Sequence, residues 1–246
     1  MSVNYHAFQS RNILFSHSGA VCEQWRAAFS KYNPSRIAAI LGLNYDEQYL
    51  YLTYFHASYR LCLKNGILEK EVPCSAPSQE TRASVGVIYP LPEEPGASSK
   101  AAMCWTEELY FNETMALYHL LKFTRDNPQA SGIWVPNMEL DGASLRRRQA
   151  DPLLTPFSAF FAGRAELLRS RCLALQGSPL AIKGDVAFLF HAVPQIPLRL
   201  IFWDEDEEFP AQTQVLVDSR VTDFLHYESV GCVVSDLLEK LEHGCD

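Results

Sequence analysis

At 246 residues, with 48% apolar and 12% aromatic side chains, the chain carries enough hydrophobic material for one sizeable core, which excludes disorder as its dominant state. A formal net charge of -8 sets the averaged field against phosphate backbones and anionic bilayers, so nucleic acid and membrane surfaces are excluded as partners. No apolar run approaches the roughly 18 residues of a membrane span, and Met1–His6 lacks the basic and apolar regions of a secretory signal, so a cytoplasmic location is expected.

The seven cysteines, Cys22, Cys62, Cys74, Cys104, Cys172, Cys232 and Cys245, stand singly and form no C-x-x-C pair. That pattern argues against a zinc or iron–sulfur cluster, and reduced thiols packed as small hydrophobes are expected.

In chain order, residues 18–32 place Val21, Cys22, Trp25, Ala28, Phe29 and Tyr32 on one helical face. Asn33-Pro34 ends that helix and starts the next, with Asn33 as cap and Gly42 at the exit. Residues 48–55 and 59–63 read as strands, and Asn65-Gly66 marks a hairpin turn into 67–72, because both central positions of a type I′ turn need positive φ. The proline-rich stretch 73–104 reads as an excursion with one strand at 85–89 and a mobile segment at 90–100.

Asn112 is the expected cap of a helix reaching Thr124, residues 133–135 form a short strand, and Thr155-Pro156 opens one apolar helix ending near Gly177. The last third is the most legible: 186–191, 198–203 and 213–217 form a three-strand antiparallel meander. Val230, Val233, Val234, Leu237, Leu238 and Leu241 make the apolar stripe of a helix that covers it. Strands and helices come in blocks, so the expected class is α+β in a single domain spanning 1–246, with a C-terminal antiparallel meander covered by helices and an additional N-terminal strand hairpin.

Chemistry is sparse. Glycine-rich nucleotide loops, a serine-hydrolase elbow and a His-Glu-x-x-His zinc motif are all missing. The most unusual segment is Trp203-Asp204-Glu205-Asp206-Glu207-Glu208-Phe209-Pro210, five adjacent carboxylates between aromatic rings. Their mutual repulsion is relieved by solvation, by backbone N–H groups, or by a shared hard cation. In an up-down-up meander this loop and Asp185 lie at the same end, while Asp218 lies at the other, with the 193–197 turn and His191. Asp185, Trp203, Asp204, Asp206, Glu207 and Glu208 are therefore the expected ligand-binding residues, and Asp185, Asp206, Glu207 and Glu208 the candidate metal ligands. His191 and His226 lack a spacing partner and read as structural, with Glu228 complementing the dipole of the terminal helix. Cys232 has no base in sequence reach and reads as an ordinary thiol.

Lys183-Gly184-Asp185, Pro194-Gln195-Ile196-Pro197-Leu198, the 202–211 segment and Val217-Asp218-Ser219 together resemble an uncharacterised family of anaerobic bacteria and archaea, a domain of unknown function. Some of its members are fused to a four-cysteine iron–sulfur domain. The resemblance implies a setting in anaerobic metabolism and transfers no catalytic residue. No catalytic residue or cofactor is assigned. The expected role is a non-catalytic accessory protein that binds a small molecule, a cofactor or a partner protein, with homo-oligomers compatible. The alternative is a metal-dependent, hydrolase-like enzyme using Asp185 and the 204–208 carboxylates.

Overall fold

In the computed structural model, which describes residues 18–74, 102–140 and 152–244, helix α1 spans Ser18–Phe29 and buries Phe29 against the ring of Tyr118, 5.2 Å away between centroids. Asn33, expected as the cap of the next helix, lies one residue too early: Pro34 takes the cap position without a side-chain bond, and Asn33 Oδ1 accepts the Ser35 N–H at 3.0 Å in a local turn. Helix α2 (Ser35–Leu41) then buries Ile37, Ala38 and Leu41 and closes at Gly42.

Strands β1 (Tyr49–Tyr54), β2 (Ala57–Cys62), β3 (Leu68–Pro73) and β4 (Met103–Thr106) pair antiparallel in the order β1-β2-β3-β4. The period-two alternation turns Leu50, Leu52, Tyr54, Tyr59 and Leu61 into the core. The expected N-terminal hairpin thus belongs to a four-stranded sheet. The second turn falls at Asn65-Gly66 but is not the expected type I′: Gly66 has φ 73° while Asn65 does not take positive φ, and Asn65 Oδ1 instead accepts the Ile67 N–H at 3.1 Å in a longer connection from Cys62 to Ile67. A side chain at Gly66 would begin 2.1 Å from the carbonyl oxygen of Arg26 in α1, and Tyr118 Oη donates to the Gly66 carbonyl at 2.7 Å. The turn therefore needs glycine twice, for its backbone angle and for the close approach of the helix. At the first turn Phe55 and His56 both take positive φ, 43° and 64°, with no glycine to relieve them. Burial of Phe55 and its N–H bond to the Ala192 carbonyl, 2.8 Å, hold that conformation and tie the two sheets together.

One expectation fails at the sheet edge. Cys74 and Cys104 form a disulfide, with Cα atoms 5.2 Å apart, instead of remaining reduced. The β3–β4 register brings together two thiols 30 residues apart in sequence, a proximity that spacing alone does not reveal. Cys22, Cys62, Cys172 and Cys232 are free.

Helix α3 spans Phe111–Phe123. Asn112, expected as its cap, lies buried inside the first turn, and the start is closed by Glu113, whose Oε1 accepts the Tyr110 N–H at 2.9 Å. The single helix expected from Thr155 to Gly177 is two, α4 (Leu154–Phe161) and α5 (Ala165–Ala174), broken at Ala162-Gly163 where the chain turns to bring Phe161 and Leu168 into one core. Apolar periodicity runs through the break and conceals it.

The second sheet comprises β5 (Trp134–Pro136), β6 (Ser178–Pro179), β7 (Val186–Val193), β8 (Ile196–Trp203) and β9 (Gln212–Asp218), in the order β5-β9-β8-β7-β6. The expected meander is present and antiparallel throughout, with Val186 opposite Phe202 and Leu198 opposite Val217. Helix α6 (Tyr227–His243) buries all six residues of its stripe and runs beside α3. Buried side chains of both sheets and of the helices form one continuous cluster, so the class is α+β. Among the described residues no helix is long and apolar enough to cross a membrane. The strand expected at 85–89 and the segment 90–100 lie outside the described residues.

Candidate functional site

The acidic loop follows the expected topology. Asp185 lies beside it, its Oδ2 accepting the Asp204 N–H at 2.8 Å. Asp204 Oδ1 in turn accepts from Gly163 N at 2.7 Å and Glu205 N at 2.9 Å, while Asp206 Oδ1 accepts from Glu208 N and Phe209 N, both at 2.8 Å. Asp185, Asp204 and Asp206 therefore order backbone, and the repulsion is relieved by N–H donors. Those donors hold the Asp206 carboxyl below its usual range. Glu207 and Glu208 are exposed, as are Trp203 and Phe209. Among the described residues no three His, Cys, Asp or Glu side chains are grouped as metal ligands. Replacing Glu207 and Glu208 together by Gln is expected to leave the melting temperature within about 2 °C of the original or to raise it, because exposed like charges are being removed. A differential scan at low salt checks this.

Asp218 sits at the opposite end, beside Pro197 and opposite Trp134. Its carboxylate accepts from Ser131 N, Gly132 N and Arg220 N, which orders the loop before β5. His191 is exposed. His226 caps α6, its Nδ1 accepting the Glu228 N–H at 3.4 Å. Burial pushes the Cys232 thiol up to about 12, the reverse of what a nucleophile needs.

Sequence reasoning missed two features. The first is a buried acid–tyrosine network between the first sheet and the helices. Tyr54 Oη donates to Asp236 Oδ2 at 2.5 Å, and Tyr59 Oη donates to Glu113 Oε2 at 2.6 Å, with Lys70 Nζ 3.2 Å from the same oxygen. Burial raises the Asp236 carboxyl to about 8, against the lowering effects of Tyr54 and Lys240. Nearby, Ser229 Oγ hydrogen-bonds His119 Nδ1, and burial depresses His119 to about 4. These groups fasten β1 and β2 onto α3 and α6. Only the presence of acids in otherwise apolar helix faces hinted at them.

The second feature is a groove of about 370 Å³ where the first sheet meets the α2–β1 connection and the β7–β8 turn. Tyr51, Thr53, Ser58, Glu71, Trp105 and Gln195 contribute its polar and aromatic lining. Its walls are braced. Gln195 Nε2 donates to the Leu41 carbonyl at 2.9 Å, and Tyr51 Oη donates to Asp46 Oδ2 at 2.8 Å. Arg60 lies 4.1 Å from the Tyr49 ring centroid and 4.2 Å from that of Trp105, and its Nε meets Glu69 Oε2 at 2.5 Å. Glu71, half-buried opposite Trp105 in the β3–β4 register, has no hydrogen bond or ion pair from its side chain among the described residues.

An α+β chain of two antiparallel sheets on one core, with a groove at their junction, is the class that fold and site define. The chain belongs to the family described as a domain of unknown function (DUF3786), whose model matches residues 93–239, more than half of its length. The match covers the second sheet, helices α3 to α5 and α6 as far as Glu239, and it includes Trp105 and Gln195 of the groove. No curated protein and no solved structure matches the chain.

Proposed function

We propose that the protein is a non-catalytic binding module whose ligand occupies the groove at the junction of the sheets. The observation that carries this reading is the combination in one braced concavity of two aromatic side chains, Tyr51 and Trp105, two hydroxyls, Thr53 and Ser58, and the uncommitted carboxylate of Glu71. Pockets for small molecules run from about 300 to 1,000 Å³, so about 370 Å³ favours a small metabolite over a large cofactor. A lone carboxylate among hydroxyls favours a neutral or cationic ligand with several donors, and the rings supply a flat apolar face. The cytoplasm and anaerobic metabolism are the setting that goes with this reading.

Native mass spectrometry of protein isolated without oxygen, followed by thermal shift against polyols, amines and carboxylates, tests it. A retained or stabilising amine or polyol is expected, with Glu71→Gln and Trp105→Ala each weakening it by about tenfold. The absence of any retained or stabilising compound, or equal binding by both variants, sinks the reading.

A further inference from the structure

At the edge of the first sheet the disulfide lies directly beside a wall of the groove. Among the described residues β4 pairs with β3 alone, and none of its four residues is buried. The chain after β4 is anchored by Leu109, which packs against the core, and the chain before it by the Cys74–Cys104 bond, with the Cys74 N–H donating to the Ala102 carbonyl at 2.7 Å. Trp105 stands between these two anchors. It lines the groove, faces Glu71 across the ladder, and rests on the guanidinium of Arg60 at 4.2 Å, which Glu69 and the Tyr49 ring hold in place without it. Cys104 is an exposed residue and Cys74 a half-buried one, which places the bond at the surface, within reach of a dithiol from solution.

We propose that Cys74 and Cys104 form a redox latch on the groove: oxidised, the pair fixes β4 and holds Trp105 in the wall, and reduced, it lets the strand fray and the groove lose that wall. A cross-link between residues 30 apart restrains the chain strongly, whereas a four-residue ladder with no buried side chain restrains it weakly. In the reduction a thiolate of a dithiol attacks Cys104 Sγ, the Sγ–Sγ bond breaks, and Cys74 leaves as a thiolate and takes a proton. The reductant's second thiolate then attacks its own sulfur in the mixed disulfide, and Cys104 leaves and is protonated in turn. The chain gains two electrons and two protons, and the reductant departs as a disulfide. Control of a ligand rests on the groove being the ligand site, as proposed above, whereas the release of β4 does not and is read with no ligand present.

The test uses the full chain with dithiothreitol as reductant and oxidised glutathione as oxidant. Differential alkylation read by mass spectrometry should show Cys74 and Cys104 changing state together and reversibly, while the far-UV circular dichroism and a cooperative urea transition are kept. On reduction, amide exchange at Cys104 and Thr106 should quicken at least about tenfold, with the amides of β8 unchanged. The fluorescence that Trp105→Phe removes should at the same time become more open to quenching by acrylamide. Cys104→Ser should show the fast exchange under both conditions, which separates the latch from any action of dithiothreitol elsewhere. Three results would overturn the proposal: a bond that survives millimolar dithiothreitol in the folded protein, reduction that leaves β4 exchange and Trp105 quenching as they were, or reduction that abolishes the cooperative transition. The last would make the bond a brace of the whole fold. If β4 is released on reduction while no compound binds the groove, the latch stands and the ligand reading fails.

Discussion

Between about pH 6.5 and pH 8 the protein is expected to lose about 2 kcal/mol of stability, and Asp236→Asn is expected to abolish that loss. Asp236 is buried beside Tyr54 and faces Glu113 of α3 and Glu239 and Lys240 of α6. Burial raises its folded value to about 8 from an ordinary 3.8. Between those limits the native state keeps a proton that the unfolded chain has released. The stability this group contributes is full below its unfolded value and is lost as pH rises through 8, by up to about 1.4 kcal/mol per unit.

His119 has the opposite sign. Its folded value is about 4 against an ordinary 6.5, so its contribution is full above 6.5 and is lost as pH falls through 4. Over the shared window the two slopes oppose each other, and the wild-type profile should be nearly level from about pH 4 to pH 6.5 before it falls. In Asp236→Asn the amide still accepts from Tyr54, and the histidine is left alone. That variant should gain on the order of 3 kcal/mol between pH 4 and pH 6.5 and then stay level. Urea unfolding at half-unit pH steps gives both curves. A wild-type profile that stays flat from pH 6.5 to pH 8.5 would show that Asp236 is ionised in the folded protein.

Leu237→Ala should cost about 2–5 kcal/mol. Leu237 is fully buried on α6, with Val233, Val234 and Leu241 on the same stripe, in a core shared with both sheets. Truncation removes buried methyl groups and leaves a cavity that the close-packed shared core closes only in part. The midpoint of urea unfolding should fall with the slope unchanged. A loss below about 1 kcal/mol would mean that the helix is loosely packed.

The core stripe of α6, the three strands of the meander and the position, though not the type, of the turn at Asn65-Gly66 were legible because each is written in neighbouring residues. A periodicity or a turn chemistry is a local property, and local steric preference survives into the fold. The placement of Asp185 beside the acidic loop was also legible, since an antiparallel meander allows only one arrangement of ends. What those carboxylates do there was not, because capping a backbone and ligating a cation call for the same residue types.

The remaining features depend on separations that no window spans. Tyr54 and Asp236 are 182 residues apart, Tyr59 and Glu113 54, and Cys74 and Cys104 30. Each pair meets only after strands have registered and helices have docked. The break between α4 and α5 arises the same way, since one apolar stripe serves a single long helix or two shorter ones, and packing against the second sheet selects the latter. The groove draws on Tyr51, Glu71, Trp105 and Gln195, each ordinary where it stands in the chain. Composition and period set which surfaces must be buried, whereas burying them together, in one core, set which polar groups were left facing one another.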